Sequence, residues 1–163
     1  MRSGLGILLV FILCGSIGCA GGRAPAPRQP SAGPATALDL LKLRQPQTQW
    51  DAKSLLEADL DLDGGEDYAL LGLHRDHFVV GIVHGPVHAT KSGVWTLDFP
   101  WSGGEDALCS KHAKIELESL AENEGPAADQ PRKGQGINLS DDRCDAFHIY
   151  WNPRKQRFDW WRL

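Results

Sequence analysis

The chain has 163 residues, a formal net charge of −4, six tryptophans and four cysteines. That length suits one domain with appended segments. The acidic balance argues against nucleic acid as a partner, because gripping a phosphate backbone takes a positive face that releases counterions.

Residues 1–18 read as a signal peptide: Arg2 supplies a positive start, Leu5 to Leu13 an apolar run, and Gly15, Ser16 and Gly18 the small residues before a cut. The apolar run is shorter than the roughly 20 residues needed to span a bilayer. Ser16-Ile17-Gly18-Cys19 resembles the bacterial lipobox, with Gly18 fitting well and Ser16 departing from the usual Leu. The resemblance implies a lipid on Cys19 and a membrane anchor. Ala20-Gly21, with no Asp beside the lipid cysteine, implies the outer membrane of a double-membrane bacterium. The alternative is ordinary cleavage near Cys19, which yields a secreted or periplasmic soluble protein. Cys14 is discarded either way.

Residues 19–35 form a Pro/Gly-rich tether with almost nothing to bury, so ordering it gains little. Residues 36–163 are expected to form one globular domain, α+β in class and mostly antiparallel β. Thr36 is placed to cap a short helix through Leu43, and Pro46 prevents its continuation. About seven strands follow, read from period-two alternation: Leu55–Asp61, Tyr68–His74, Phe78–His84, Val94–Phe99, Lys114–Leu120, Ala146–Trp151 and Phe158–Leu163. Ile115, Leu117 and Ser119 share one face, with Glu116 and Glu118 toward water. Arg75-Asp76 and Asn152 to Gln156 are hairpin turns, the second bent by Pro153. Ala121 to Gln135 is a polar excursion.

The most informative stretch is Asp59-Leu60-Asp61-Leu62-Asp63-Gly64-Gly65-Glu66-Asp67. Carboxylates at alternate positions converge when a backbone curls, and Gly64 permits the sharp turn. Calcium takes six to eight oxygen ligands and suits such a set. No imidazole or thiolate lies within the stretch, which counts against zinc or copper. An EF-hand opens the same way but needs a Glu where Leu70 stands, and helices where strands are expected. The stretch from Ser54 to Phe78 resembles instead the strand–loop–strand calcium loop of FG-GAP and VCBS-type repeats. That resemblance implies side-chain ligation by Asp59, Asp61, Asp63 and Asp67 and a carbonyl from Gly65. A propeller needs several such repeats, and this chain has one. The alternative is an acidic turn that binds no ion. Asp67 to Leu71, Lys114 to Ser119 and Tyr150 to Trp161 also resemble segments of small bacterial envelope proteins, a likeness that brings no activity with it.

Cys109 and Cys144 remain in an exported domain and are expected to pair. The sharper alternative makes Cys109 a nucleophile beside His112. His74, His77, His84 and His88 fall within fifteen residues, and a zinc or copper site there competes with the plainer reading of exposed polar strand ends. The stretch around Trp160, Trp161 and Arg162 alternates, which allows one Trp in the core and an exposed one beside Arg162 suited to a protein or glycan partner; the competing and plainer reading is a Trp-rich core edge. No G-x-S-x-G elbow is present, and no carboxylate pair has the fixed spacing of glycoside chemistry. The reading is a non-enzymatic envelope lipoprotein, braced by calcium, that binds an envelope or extracellular partner. The alternative is a small secreted hydrolase or hydrolase inhibitor that gathers His112, His148 and acidic groups in a pocket.

Overall fold

The computed structural model describes residues 33–87, 92–101, 104, 106–121 and 133–162. The expected signal peptide, Cys19, nearly all of the tether, His88 and most of the 121–135 excursion lie outside them. The described residues are mostly antiparallel β, with one α-helix and nine strands rather than about seven.

Helix α1 spans Pro34–Arg44. It starts two residues before the expected cap. Gly33 holds the N-cap position, and Pro34 stands at the helix start, where its fixed φ suits the turn and its missing N–H costs nothing. Thr36 donates its own amide to the Gly33 carbonyl at 2.9 Å instead of capping. The helix ends where the Gln45 amide reaches Leu41 O, ahead of Pro46. Ala37, Leu40 and Leu41 form its buried stripe.

The strands are β1 (Gln49–Trp50), β2 (Leu56–Ala58), β3 (Asp67–His74), β4 (His77–Val83), β5 (Val94–Pro100), β6 (Lys114–Ser119), β7 (Gln135–Ser140), β8 (Phe147–Asn152) and β9 (Arg157–Trp161). In the first sheet β1 and β2 both pair with β3, which is followed by β4 and β5; the second sheet runs β6-β7-β8-β9, and every pairing is antiparallel. The two sheets pack face to face. Ala69, Leu71, Phe78, Val80, Ile82 and Phe99 from the first meet Ile115, Ile137, Leu139, Phe147, Ile149, Trp151 and Phe158 from the second. Tyr68, Leu70 and Val83 point the opposite way, onto α1, and build a second core. Gly81 makes that layer possible. A Cβ there would stand 2.5 Å from Trp50 and 2.6 Å from Leu41.

Both expected hairpins form. Arg75-Asp76 is a two-residue loop with Arg75 at φ 58°, and His74 pairs with His77. In the second, Asn152 is fully buried, and its side-chain oxygen accepts the amides of Arg154 and Lys155. Strand β7 was not expected. Its inward face rests on only two strongly apolar residues, Ile137 and Leu139, in a polar stretch, so its alternation is faint. Strand β1 has only two residues and carries no period at all. Glu118, expected to face water, is mostly covered on the outer face of the second sheet. Among the described residues no helix is long and apolar enough to cross a membrane.

Candidate metal centre

The stretch from Asp59 to Asp67 joins β2 to β3. Leu60 is buried in the core between the sheets and pins the loop to it. The carboxylates then turn inward and receive the loop's own amides. Asp61 accepts from the Asp63 N–H at 3.1 Å, Asp63 from the Gly65 N–H at 2.7 Å and Asp59 from the Gly64 N–H at 3.1 Å. Leu62 at φ 65° and Gly64 at φ 89° take the left-handed turns that curl the ring. Asp67, only 1% exposed, closes it by accepting the Leu60 N–H at 3.0 Å. Gly65 is tied in through its amide, while a calcium-ligating role for its carbonyl belongs to the resemblance.

One oxygen of each of Asp59, Asp61 and Asp63 lies within 4.8 Å of the others. Asp59 Oδ1 is buried and meets no hydrogen-bond donor. Burial, then the charge of Asp67, raises the Asp61 carboxyl above its ordinary range, and burial likewise raises Asp67 against the amides that bond it. Crowded carboxylates of this kind are relieved by a cation. The donor set fits one.

The structure adds a residue that the sequence reading kept apart from the loop. His84 follows β4, and its Nδ1 lies 3.0 Å from Asp61 Oδ2 and 3.1 Å from Asp67 Oδ1; its Nε2 lies 3.4 Å from Asp63 Oδ2. The absence of imidazole from the loop is thus a property of the linear stretch and not of the folded site. A signal for it existed. A two-residue hairpin at Arg75-Asp76 fixes the whole β3–β4 register, Tyr68 falls opposite Val83, and the next pair outward is Asp67 and His84. Gly85 allows the approach, since a Cβ there would overlap the Glu66 carbonyl oxygen. The Gly85 amide also donates to Asp67 Oδ1 at 3.0 Å.

The other described histidines do not join this group. His74 and His77 pair at the far end of the β3–β4 hairpin, where His77 Nδ1 meets Asp76 at 2.8 Å. Among the described residues neither of them belongs to a group of three metal-type ligands. Cys109 and Cys144 form a disulfide with a Cα separation of 5.8 Å, so Cys109 is not a free nucleophile beside His112. Asp141 buttresses that bridge, accepting the amides of Arg143 and Cys144 at 3.0 Å each.

At the C-terminal strand the two tryptophans take opposite faces, but contrary to the expectation it is Trp161, on the outer face, that is buried. Trp161 is buried and stacked on His148, centroids 3.9 Å apart and planes 13° apart. Trp160 remains 41% exposed while leaning edge-on against Phe99 and Phe147. Arg162 lies over the Phe147 ring and donates to the Ala107 carbonyl at 2.9 Å. His148 Nδ1 meets Glu118 at 2.8 Å on the outer face of the second sheet. A cavity of about 160 Å³ lies elsewhere, lined by Leu71, Leu73, Phe78 and Ala113 with Gln49 and Asp51 on its polar side, and no histidine or cysteine faces it.

No protein-family model matches this chain, and comparisons with curated proteins and with solved structures also find no match.

Proposed function

We propose that the chain is a non-enzymatic lipoprotein of the bacterial envelope whose β-rich domain, braced by calcium, binds an envelope or extracellular partner. The observation that carries the calcium reading is the buried Asp59 Oδ1 without a donor, standing in a ring with the Asp61 and Asp63 carboxylates. Buried polar atoms are ordinarily paired, and an ion supplies what this oxygen lacks. Calcium, bound by oxygens at about 2.3–2.6 Å, suits the flexible all-carboxylate ring of Asp59, Asp61, Asp63 and Asp67 better than magnesium, which demands a tighter octahedron. The ion's role is structural. It fixes the β2–β3 connection where the two sheets meet.

Export rests on the residue 1–19 pattern and is supported by the Cys109–Cys144 bridge, because disulfides persist in oxidising compartments. In this reading Cys19 carries lipid, and residues 19–35 hold the domain off the outer membrane. The exposed Trp160 is the anchor offered to a protein or glycan, with Arg162 beside it. Replacing Cys19 with Ala tests the address. Loss of palmitate labelling and release from membranes supports it, and unchanged labelling and fractionation contradicts it. For the calcium, thermal melts with calcium against chelator are the test.

One observation favours the rival reading of a small hydrolase or hydrolase inhibitor. Glu118 orients His148 through Nδ1, as a carboxylate orients a general base. Against it, the His148 ring is stacked on Trp161 and mostly covered, and the described cavity does not contain it.

A further inference from the structure

We propose that Asp61, Asp67 and His84 form a binding site for a borderline divalent cation of the zinc class, sharing the loop with the oxygen-only calcium ring. One nitrogen and two carboxylate oxygens from three separate positions converge, all within 4.8 Å of one another. His84 comes from the end of β4 and lies outside the D-x-D-x-D-G stretch. A cation held at about 2.0–2.2 Å sets its ligand atoms roughly 3–3.5 Å apart. The observed separations are 3.0 Å from His84 Nδ1 to Asp61 and 3.1 Å to Asp67.

The supports of these ligands are in place. Asp67 is held by the amides of Leu60 and Gly85 at 3.0 Å each, and the His84 ring stands edge-on to Trp95 at 5.9 Å. Outer contacts of this kind fix ligand orientation in metal sites. Gly85 brings the strand end against the loop, where any side chain would collide with Glu66. Imidazole with carboxylates selects zinc-like ions over calcium, which takes oxygen. His84 is 30% exposed at the side chain, which leaves an open position for water or a fourth donor. Because Asp61 and Asp67 belong to both sets, zinc and calcium compete. The proposal rests on the same convergence of carboxylates as the calcium reading, but it needs no calcium.

The full chain, in detergent and stripped of metals, is titrated with Zn²⁺ by calorimetry and with Co²⁺ by visible absorption, beside His84→Gln. The wild type is expected to bind one zinc and to develop the intense absorption of a four-coordinate, nitrogen-ligated cobalt. His84→Gln is expected to weaken zinc by more than about a hundredfold, the upper end of what losing an outer-shell support costs, and to abolish the cobalt band, while any calcium-dependent rise in melting temperature persists. Imidazole NMR of the wild type gives the same answer without a variant, because zinc should shift the His84 ring and leave His74, His77, His112 and His148 in place. Absence of zinc binding, zinc affinity unchanged in His84→Gln, or shifts confined to other histidines would each overturn the proposal and leave an ion pair only. Calcium melts on the same samples report separately whether the calcium reading stands.

Discussion

Asp67 closes its loop on Leu60: the buried carboxylate accepts the Leu60 amide at 3.0 Å, seven residues back along the chain. The same carboxylate accepts the Gly85 amide at 3.0 Å, so one side chain ties β2, β3 and the end of β4 together. Asp67→Ala leaves two buried donors unpaired, each costing about 1–3 kcal/mol. Urea denaturation is expected to show a loss of that order for the pair, with Asp67→Asn milder because one acceptor survives. Equal, negligible losses in both variants would remove Asp67 from its tying role.

Gly85 has no room for a side chain, since a Cβ would overlap the Glu66 carbonyl. Gly85→Ala is expected to push the β4 end off the loop at a cost of roughly 1–3 kcal/mol, the range for overpacking. The check is a denaturant midpoint that falls together with cation affinity.

The bridge at the other end of the sandwich closes a separation of 35 residues. Replacing Cys109 and Cys144 together with Ser is expected to destabilise the domain by about 3–4 kcal/mol in the chain-entropy picture. Peptide mapping without reductant should recover the two cysteines as one cross-linked pair.

Asp141 under that bridge gives a pH dependence of known sign. Burial works to raise its carboxyl, but the amides of Cys144, Arg143, Cys109 and Ser110 outweigh it and hold the group below the usual range. A depressed carboxyl contributes stability above its unfolded value, near about pH 3.9, that is lost as pH falls through the folded one. Asp141→Asn is therefore expected to be less stable than wild type near neutrality, with the gap narrowing in acid. A gap that widens below pH 4 would contradict the assignment.

Much of this was legible in the chain. The hairpin at Arg75-Asp76 and the one after Asn152 follow from turn chemistry, and the cysteine pairing from the parity of the two cysteines that remain in the domain. The acidic ring follows from alternate Asp and a glycine. What escaped has a physical reason in each case. Strand β7 lies between β6 and β8, yet presents only Ile137 and Leu139 inward, too few to make a period. The exposure of Glu118 was misread because alternation assigns a face and not what covers it; the His148 ring bonds it there. His84 was hidden by reading the loop as a linear motif, although the hairpin register already set it beside Asp67. Register, once a turn is fixed, carries information about sites as well as about folds.

The central claim, a calcium-holding ring at Asp59, Asp61, Asp63 and Asp67, is tested most directly by calorimetric titration of the metal-free protein with calcium. Saturable binding of one ion is expected, with Kd around 10⁻⁴–10⁻³ M, as in extracellular modules. The melting temperature should rise alongside, Asp61→Ala should abolish both responses, and magnesium should substitute poorly. No heat and no shift in melting up to about ten millimolar calcium, well above that range, would contradict it and leave an acidic turn held by its own amides.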